Sequence, residues 1–418
     1  MFSKENKGNK AFTKAFTLIE LLVVIAILAV LAVAVTLILN PAELIRQGRD
    51  SIRLSDLATI NKALGLYQTD QIAKWMGTST IVYTSLPDTD STCSSYGLPS
   101  LPSGWTYNCE TTTTYTNVDG TGWLPVDFTS MSFSSPLARL PVDPVNNATS
   151  SKYYTYVSGG SWELSAVMEA VSNKLGGDND RVSGDGGEYA DIYETGTNLE
   201  LLPVNRNPNL VGYWKFDEGT GTNAYDASGN GNDGTLVNSP TWTTARVGDY
   251  ALEFNGTDNY VSLGNIRTLD PGTGDYTWSG WLKFGGFTGS YREIWFANAS
   301  GGYPGFGIML HITNNTIIYE INGSTGGRQQ VYISSANYLT DWHLWTYVIT
   351  SSDHKVRTFV DGELKSTDNF DNWGNIVSTA LLMIGHGYSW YYDGSLDDVR
   401  IYNRALSAAE IEAMYNSY

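Results

Sequence analysis

Ala15-Phe16-Thr17-Leu18-Ile19-Glu20-Leu21-Leu22-Val23-Val24-Ile25-Ala26-Ile27 opens an apolar run that continues to Leu39 and contains one charge, Glu20. About 20 apolar residues span the hydrocarbon of a bilayer as a helix, so the run is long enough to cross. Lys4, Lys7, Lys10 and Lys14 precede it. Excess lysine ahead of a first span holds that end in the cytoplasm and sends the rest of the chain outward. Glu20 needs a reason, because a carboxylate inside a membrane helix costs about 2.5–3.5 kcal/mol on insertion scales. A plain anchor has no use for it, and a secretory signal has a shorter apolar core without an acid.

Ala15/Phe16-Thr17-Leu18-Ile19-Glu20 resembles the processing motif of type IV pilins and pseudopilins. The resemblance implies that a prepilin peptidase cuts between Ala15 and Phe16, with Ala15 standing where that family usually has Gly, and that Phe16 becomes an N-methylated N-terminus. It implies that Glu20 pairs with the Phe16 amine of a neighbouring subunit and sets the stagger of the assembled helices. Residues 1–15 are then a leader and residues 16–40 a transmembrane and assembly helix. The subunit would cross the inner (cytoplasmic) membrane once before joining an extracellular filament or the cell surface. Its expected partners are the membrane, the peptidase and other pilin subunits, which it meets through this helix.

Pro41 is expected to kink the helix or mark its exit from lipid. Leu57, Ile60, Leu64 and Tyr67 form a one-faced stripe beyond it, so residues 16–67 predict one long, kinked helix. Its length would be roughly 75 Å, and its second half must pack on a domain. The run Leu140-Pro141-Val142-Asp143-Pro144, followed by Tyr153–Val157 and Ser161–Ala166, resembles the closing hairpin of pseudopilins. Residues 41–200 are accordingly expected to be an α+β pilin-like domain, the helix packed on a small antiparallel sheet. The two cysteines, Cys93 and Cys109, would lie outside the membrane, where disulfides persist. Zinc would need more ligands than these and four scattered histidines supply, so a disulfide is expected. The acidic, glycine-rich stretch 174–187 lacks the spacing of an EF-hand and reads as a solvated loop or a calcium loop.

A chain of 418 residues is too long for one ordinary domain. Only 16% of residues are charged, while 43 Gly, 27 Tyr and 13 Trp favour turn-rich β structure with aromatic faces. The net charge of −18 makes the chain a poor ligand for nucleic acid. Residues 201–209 lack period and hold Pro203 and Pro208, which reads as a linker.

From 210 to 418, short alternating runs recur between Gly, Asn and Asp clusters, among them 250–254, 259–263, 276–284, 343–350, 355–360 and 396–402. They predict a two-sheet sandwich. Leu210–Gly219, Asp226–Leu236, Ala251–Gly256, Thr277–Trp281 and Asp393–Ser407, in that order, resemble the laminin-G-like jelly rolls of the concanavalin A superfamily. Ser407 and Glu410 form a capping box for a last helix. Related jelly rolls often hold one structural Ca2+, which the resemblance places on Asp226, Asn232 and Asp397. Alternation with Val399 and Ile401 turns Asp397 inward, where it takes either a cation or backbone amides. Tyr388, Trp390 and Tyr391, with Tyr303 and Trp373 in other loops, either stack sugar rings or plug the sandwich edge. Glu218, Glu293 and Glu320 stand alone, so no paired-carboxylate signature of a glucanase is present, and no nucleophile elbow or zinc motif appears. The chain therefore reads as a non-enzymatic minor pilin or pseudopilin displaying a lectin-like domain for a glycan or a surface protein. The alternatives are a structural pseudopilin of a type II secretion or DNA-uptake machine and a tethered glycan hydrolase.

Overall fold

A computed structural model describes residues 18–70, 75–269, 272–285, 291–297, 306–313, 316–322, 328–334, 338, 341–369, 381–387 and 390–418. Ala15, Phe16, Tyr303, Trp373 and Tyr388 lie outside these residues.

Two helices open the fold, α1 (Leu18–Leu39) and α2 (Pro41–Asp70). The break between them is local. Asn40 adopts a left-handed φ of 38°, and its side-chain oxygen accepts the Glu43 amide at 3.4 Å. Pro41 then occupies the first helical position, where no amide hydrogen is needed. Among the described residues no helix is long and apolar enough to cross a membrane; the described side chains of α1 end at Ala29 and are exposed, Glu20 included. In α2 the expected stripe is buried: Leu57, Ile60, Leu64 and Tyr67 lie in one apolar cluster with Trp123, Phe128, Tyr154 and Leu164.

The sheet behind α2 comprises β1 (Ile81–Pro87), β2 (Thr106–Glu110), β3 (Thr155–Ser158), β4 (Trp162–Ala166) and β5 (Tyr193–Gly196), in the order β2-β1-β3-β4-β5. β1 and β2 pair in parallel; the other pairs are antiparallel. Cys93 and Cys109 are disulfide-bonded and clasp the β1–β2 connection, as expected. A buried ion pair fixes α2 to the Asp143-Pro144 turn. Arg53 donates to both carboxylate oxygens of Asp143 at 2.6 and 2.9 Å and to Asp50 at 2.7 Å. Asp50 also accepts the amides of Glu169 and Ala170.

The remaining strands are β6 (Leu210–Trp214), β7 (Asn223–Ala224), β8 (Gly234–Val237), β9 (Thr241–Thr244), β10 (Tyr250–Asn255), β11 (Tyr260–Gly264), β12 (Tyr276–Phe284), β13 (Tyr291–Ala297), β14 (Phe306–Thr313), β15 (Thr316–Asn322), β16 (Arg328–Ser334), β17 (His343–Thr350), β18 (Lys355–Val360), β19 (Glu363–Asn369), β20 (Leu382–Ile384) and β21 (Asp393–Tyr402), before α3 (Ala408–Asn416). They form two sheets. One has the order β19-β18-β17-β12-β21-β10-β9, with β6 also on β21; the other is β16-β15-β14-β13-β20-β11-β8-β7. Period-two alternation explains the packing. Trp345, Tyr347 and Ile349 of β17 point into the core between the sheets with Trp214, Trp278, Trp295 and Ile401. Leu344 and Val348 point the other way, into a cluster with Trp281, Phe359 and the α3 residues Ile411 and Met414. The Ser407–Glu410 capping box starts α3 as expected.

That outer cluster is continuous with the core behind α2, through Leu175, Tyr189, Leu202, Leu210, Tyr213 and Leu406. The stretch 201–209 runs along this seam with Leu202, Val204, Asn205 and Arg206 buried. Arg206 lies 4.6 Å above the Tyr153 ring and donates to the Tyr153 carbonyl and the Ser165 hydroxyl, both at 2.8 Å. Asn205 donates to Asp191 at 2.6 Å. The two halves are thus packed on each other rather than strung on a solvated tether.

Candidate functional site

A cleft of about 590 Å³ opens at the seam. Glu188 and Glu200 line it from the α2 half; Tyr213, Lys215, Asp217, the loop Arg246–Asp249, Asp397, Asp398 and Tyr418 line it from the sandwich. A break in strand alternation brings β21 to it. Leu396, Val399 and Ile401 face the core between the sheets, but Asp398 takes a left-handed φ of 53° and the pairing with β12 slips between Ser279 and Trp281. This is a bulge, which re-aims the residues beside it. Asp397 therefore does not follow Val399 inward, as strict alternation expects, but faces the seam.

Asp397 is fully buried. One oxygen accepts the amides of Arg246 and Val247 at 2.8 and 2.9 Å; the other has no partner. Burial and the adjacent Asp398 push its pKa up to about 8. Asp217 accepts the Asp249 and Tyr250 amides at 2.7 and 2.9 Å, and burial raises its pKa. Asp398 accepts hydrogen bonds from the hydroxyls of Tyr213 and Tyr418 and pairs with Arg400 at 3.1 Å. Lys215 crosses the seam to Glu188 at 2.7 Å and sits 4.6 Å above the Tyr189 ring. The other Glu188 oxygen is buried without a partner, and burial raises that carboxyl too.

Of the expected calcium ligands, Asp226 and Asn232 share one loop, and Asp397 is not brought to them. Asp226 accepts the amides of Tyr213, Ser228 and Asn232, each at 2.9 Å. Asn232 donates to the Val211 carbonyl at 2.7 Å. Both fold their loop back on β6, and neither lines the cleft with Asp397. Calcium takes six to eight oxygens; among the described residues no three His, Cys, Asp or Glu are grouped to hold a metal ion, so this set does not fit one. In the acidic 174–187 loop, Asp180 accepts the amides of Gly176, Val182 and Ser183. Asp185 accepts those of Gly187 and Glu194.

The aromatic loop before β21 divides its work. Tyr392 is buried and packs edge-on against Phe254 and Phe284, closing the end of the sandwich. Tyr391 is half-buried and stacks on His386, ring centroids 3.9 Å apart, with Tyr260 5.1 Å from the histidine. The Trp390 carbonyl lies 3.1 Å from Nδ1 of His386, whose pKa burial lowers. Tyr260 and His386 carried no signal in the sequence, because each stands alone in its own segment.

Residues 10–36 match the family described as the prokaryotic N-terminal methylation motif, and residues 255–412 match the laminin-G-type family of the concanavalin A-like lectin/glucanases superfamily. The chain thus joins a type IV pilin signal to a laminin-G-like, concanavalin A-like domain. No curated protein sequence matches the chain. Among solved structures, the binding domain of Paraclostridial Mosquitocidal Protein 1 is 16% identical, with a TM-score of 0.41 over 50% of this chain and 52% of that one. The botulinum neurotoxin serotype G binding domain is 14% identical, with a TM-score of 0.41 over 50% of each chain. Domain 4 of AbnA, a GH43 extracellular arabinanase from Geobacillus stearothermophilus solved with arabinotriose, is 17% identical, with a TM-score of 0.37 over 50% of this chain and 98% of that one. The chain spans about half the length of the two toxin structures.

Proposed function

We propose that the chain is a minor type IV pilin or pseudopilin that displays a lectin-like domain on a surface filament, where it binds carbohydrate or a protein surface. The observation that carries this reading is the presence in one chain of the methylation motif at 10–36 and the laminin-G-like domain at 255–412. In this reading the peptidase frees Phe16, Glu20 pairs with that amine on a neighbouring subunit, and α1 leaves the membrane to join the filament. The bulk of the sandwich favours a low-copy subunit, since a helical array would crowd if every member carried it. The site chemistry favours binding over catalysis: the acids of the cleft are largely engaged by amides, hydroxyls and cations. Glu20→Ala is expected to leave membrane insertion intact, since a charge leaves the lipid, and to remove the chain from sheared filaments on immunoblots. Normal incorporation of that variant would refute the assembly role, and a glycan array with no bound sugar would remove the carbohydrate arm.

A further inference from the structure

We propose that the seam cleft binds a small organic cation: a primary ammonium carried on a hydroxylated ring, as in an amino sugar. The inference rests on the carbohydrate-binding reading and names the class of sugar. At about 590 Å³ the cleft falls within the range of small-ligand sites. Its sign is set by Glu188 and Glu200 on one wall and by Asp217 and Asp249 on the other, against Lys215 and Arg246, and Asp397 adds a negative charge when it gives up its proton. Both cations are already placed over aromatic rings, Lys215 on Tyr189 and Arg246 at 4.3 Å above Trp281. Each wall also holds a buried carboxylate oxygen without a partner, on Asp397 and on Glu188. Such an oxygen is costly to leave bare in a protein interior, and an ammonium offers three donors to pair with it. A metal ion does not suit the site, because the acids are spread around the walls and among the described residues no three are grouped for coordination. Spread acids suit an ammonium that takes one carboxylate while ring hydroxyls donate to others. Because the walls come from both halves, the ligand would bridge the seam.

The test is calorimetry on the full chain in detergent micelles at pH 7, where the amine is charged and Asp397 must release its proton to pair with it, with glucosamine, N-acetylglucosamine, glucose and calcium chloride as separate probes. Glucosamine is expected to bind at least about tenfold more tightly than its N-acetylated or unaminated counterparts. Asp397→Asn is expected to remove most of that preference. Because Asp397 is buried, the exposed pair Asp249→Asn and Glu200→Gln provides a second variant, expected to weaken glucosamine about tenfold with an unchanged circular dichroism spectrum. Equal binding of glucosamine and N-acetylglucosamine, no binding of glucosamine, or its displacement by calcium would overturn the inference. Array binding to neutral glycans that survives both variants leaves the carbohydrate reading standing while this one falls. Glucosamine binding by a chain that captures nothing on the array does the reverse.

Discussion

Tyr189 is the residue whose removal should separate the two halves. It is 1% exposed. Its ring meets Tyr213 edge-on at 6.1 Å, carries the Lys215 ammonium at 4.6 Å, and its hydroxyl donates to the Leu202 carbonyl at 3.0 Å. Deleting a buried aromatic side chain costs about 3–5 kcal/mol, part as lost transfer energy and part as the cavity left behind. About 1 kcal/mol of that belongs to the hydroxyl, so Tyr189→Phe should cost only that part. These contacts lie at the seam and not between the two sandwich sheets, so the loss should fall on docking. The assay is guanidinium unfolding of the full chain, followed by tryptophan fluorescence, to which the Trp-rich sandwich contributes most, and by helical circular dichroism, to which α2 contributes. The wild-type curves should coincide. Those of Tyr189→Ala should part, with new protease cleavage within residues 201–209. Curves that already part in the wild type, or a loss below about 1 kcal/mol with no new cleavage, would refute the claim that the seam holds the halves together.

Arg53→Met should cost about 3–5 kcal/mol by leaving Asp143 and Asp50 buried without their cation, and adding Asp143→Leu should recover part of the loss; chemical denaturation of the single and double variants checks this. The carboxyls of Asp185 and Asp397 are raised by burial to about 7 and about 8 in the folded chain. The folded state therefore holds protons that the unfolded state releases near pH 4, and stability should be greatest below that pH and fall as pH rises through the folded values. Lys152, lowered to about 7 by burial, acts in the opposite sense above that pH, so denaturation midpoints should fall between pH 5 and 7, flatten between about 7 and 8, and rise above that. Thermal unfolding in calcium and in chelator should superimpose, since Asp226 and Asn232 are spent on their own loop; a rise in calcium that Asp397→Asn abolishes would overturn this.

Much of the fold was legible because alternation and helical period survive wherever one face is buried. The Leu57–Tyr67 stripe, the aromatic strands β12 and β17 and the Ser407 cap are local patterns, and each folds as its pattern dictates. β1 and β2 escaped notice because they sit in a turn-rich run and pair in parallel across a disulfide-clasped connection. The edge strand β19, Glu-Leu-Lys-Ser-Thr-Asp-Asn, escaped because an edge needs no apolar alternation. The candidate site was less legible. Alternation placed Asp397 on the face of Val399, and only the left-handed Asp398 turns it to the seam. The stretch 201–209 has two prolines and no period, which is what a solvated linker looks like. Its burial depends on partners far away in sequence, such as Tyr153 and Ser165 for Arg206.

The seam also bears on how such a subunit could work. A domain on a loose tether would sample many directions, and a filament could carry many copies. Here α3, the 201–209 stretch and the Lys215–Glu188 pair hold the sandwich against the sheet that packs on α2. Its direction relative to α2 is therefore set by the fold. Leu44, Ile45 and Ile52 of α2 remain exposed, and in the proposed filament neighbouring helices would cover them. Under the proposed filament role, a sandwich held in one direction suits a position where one side of the filament is open.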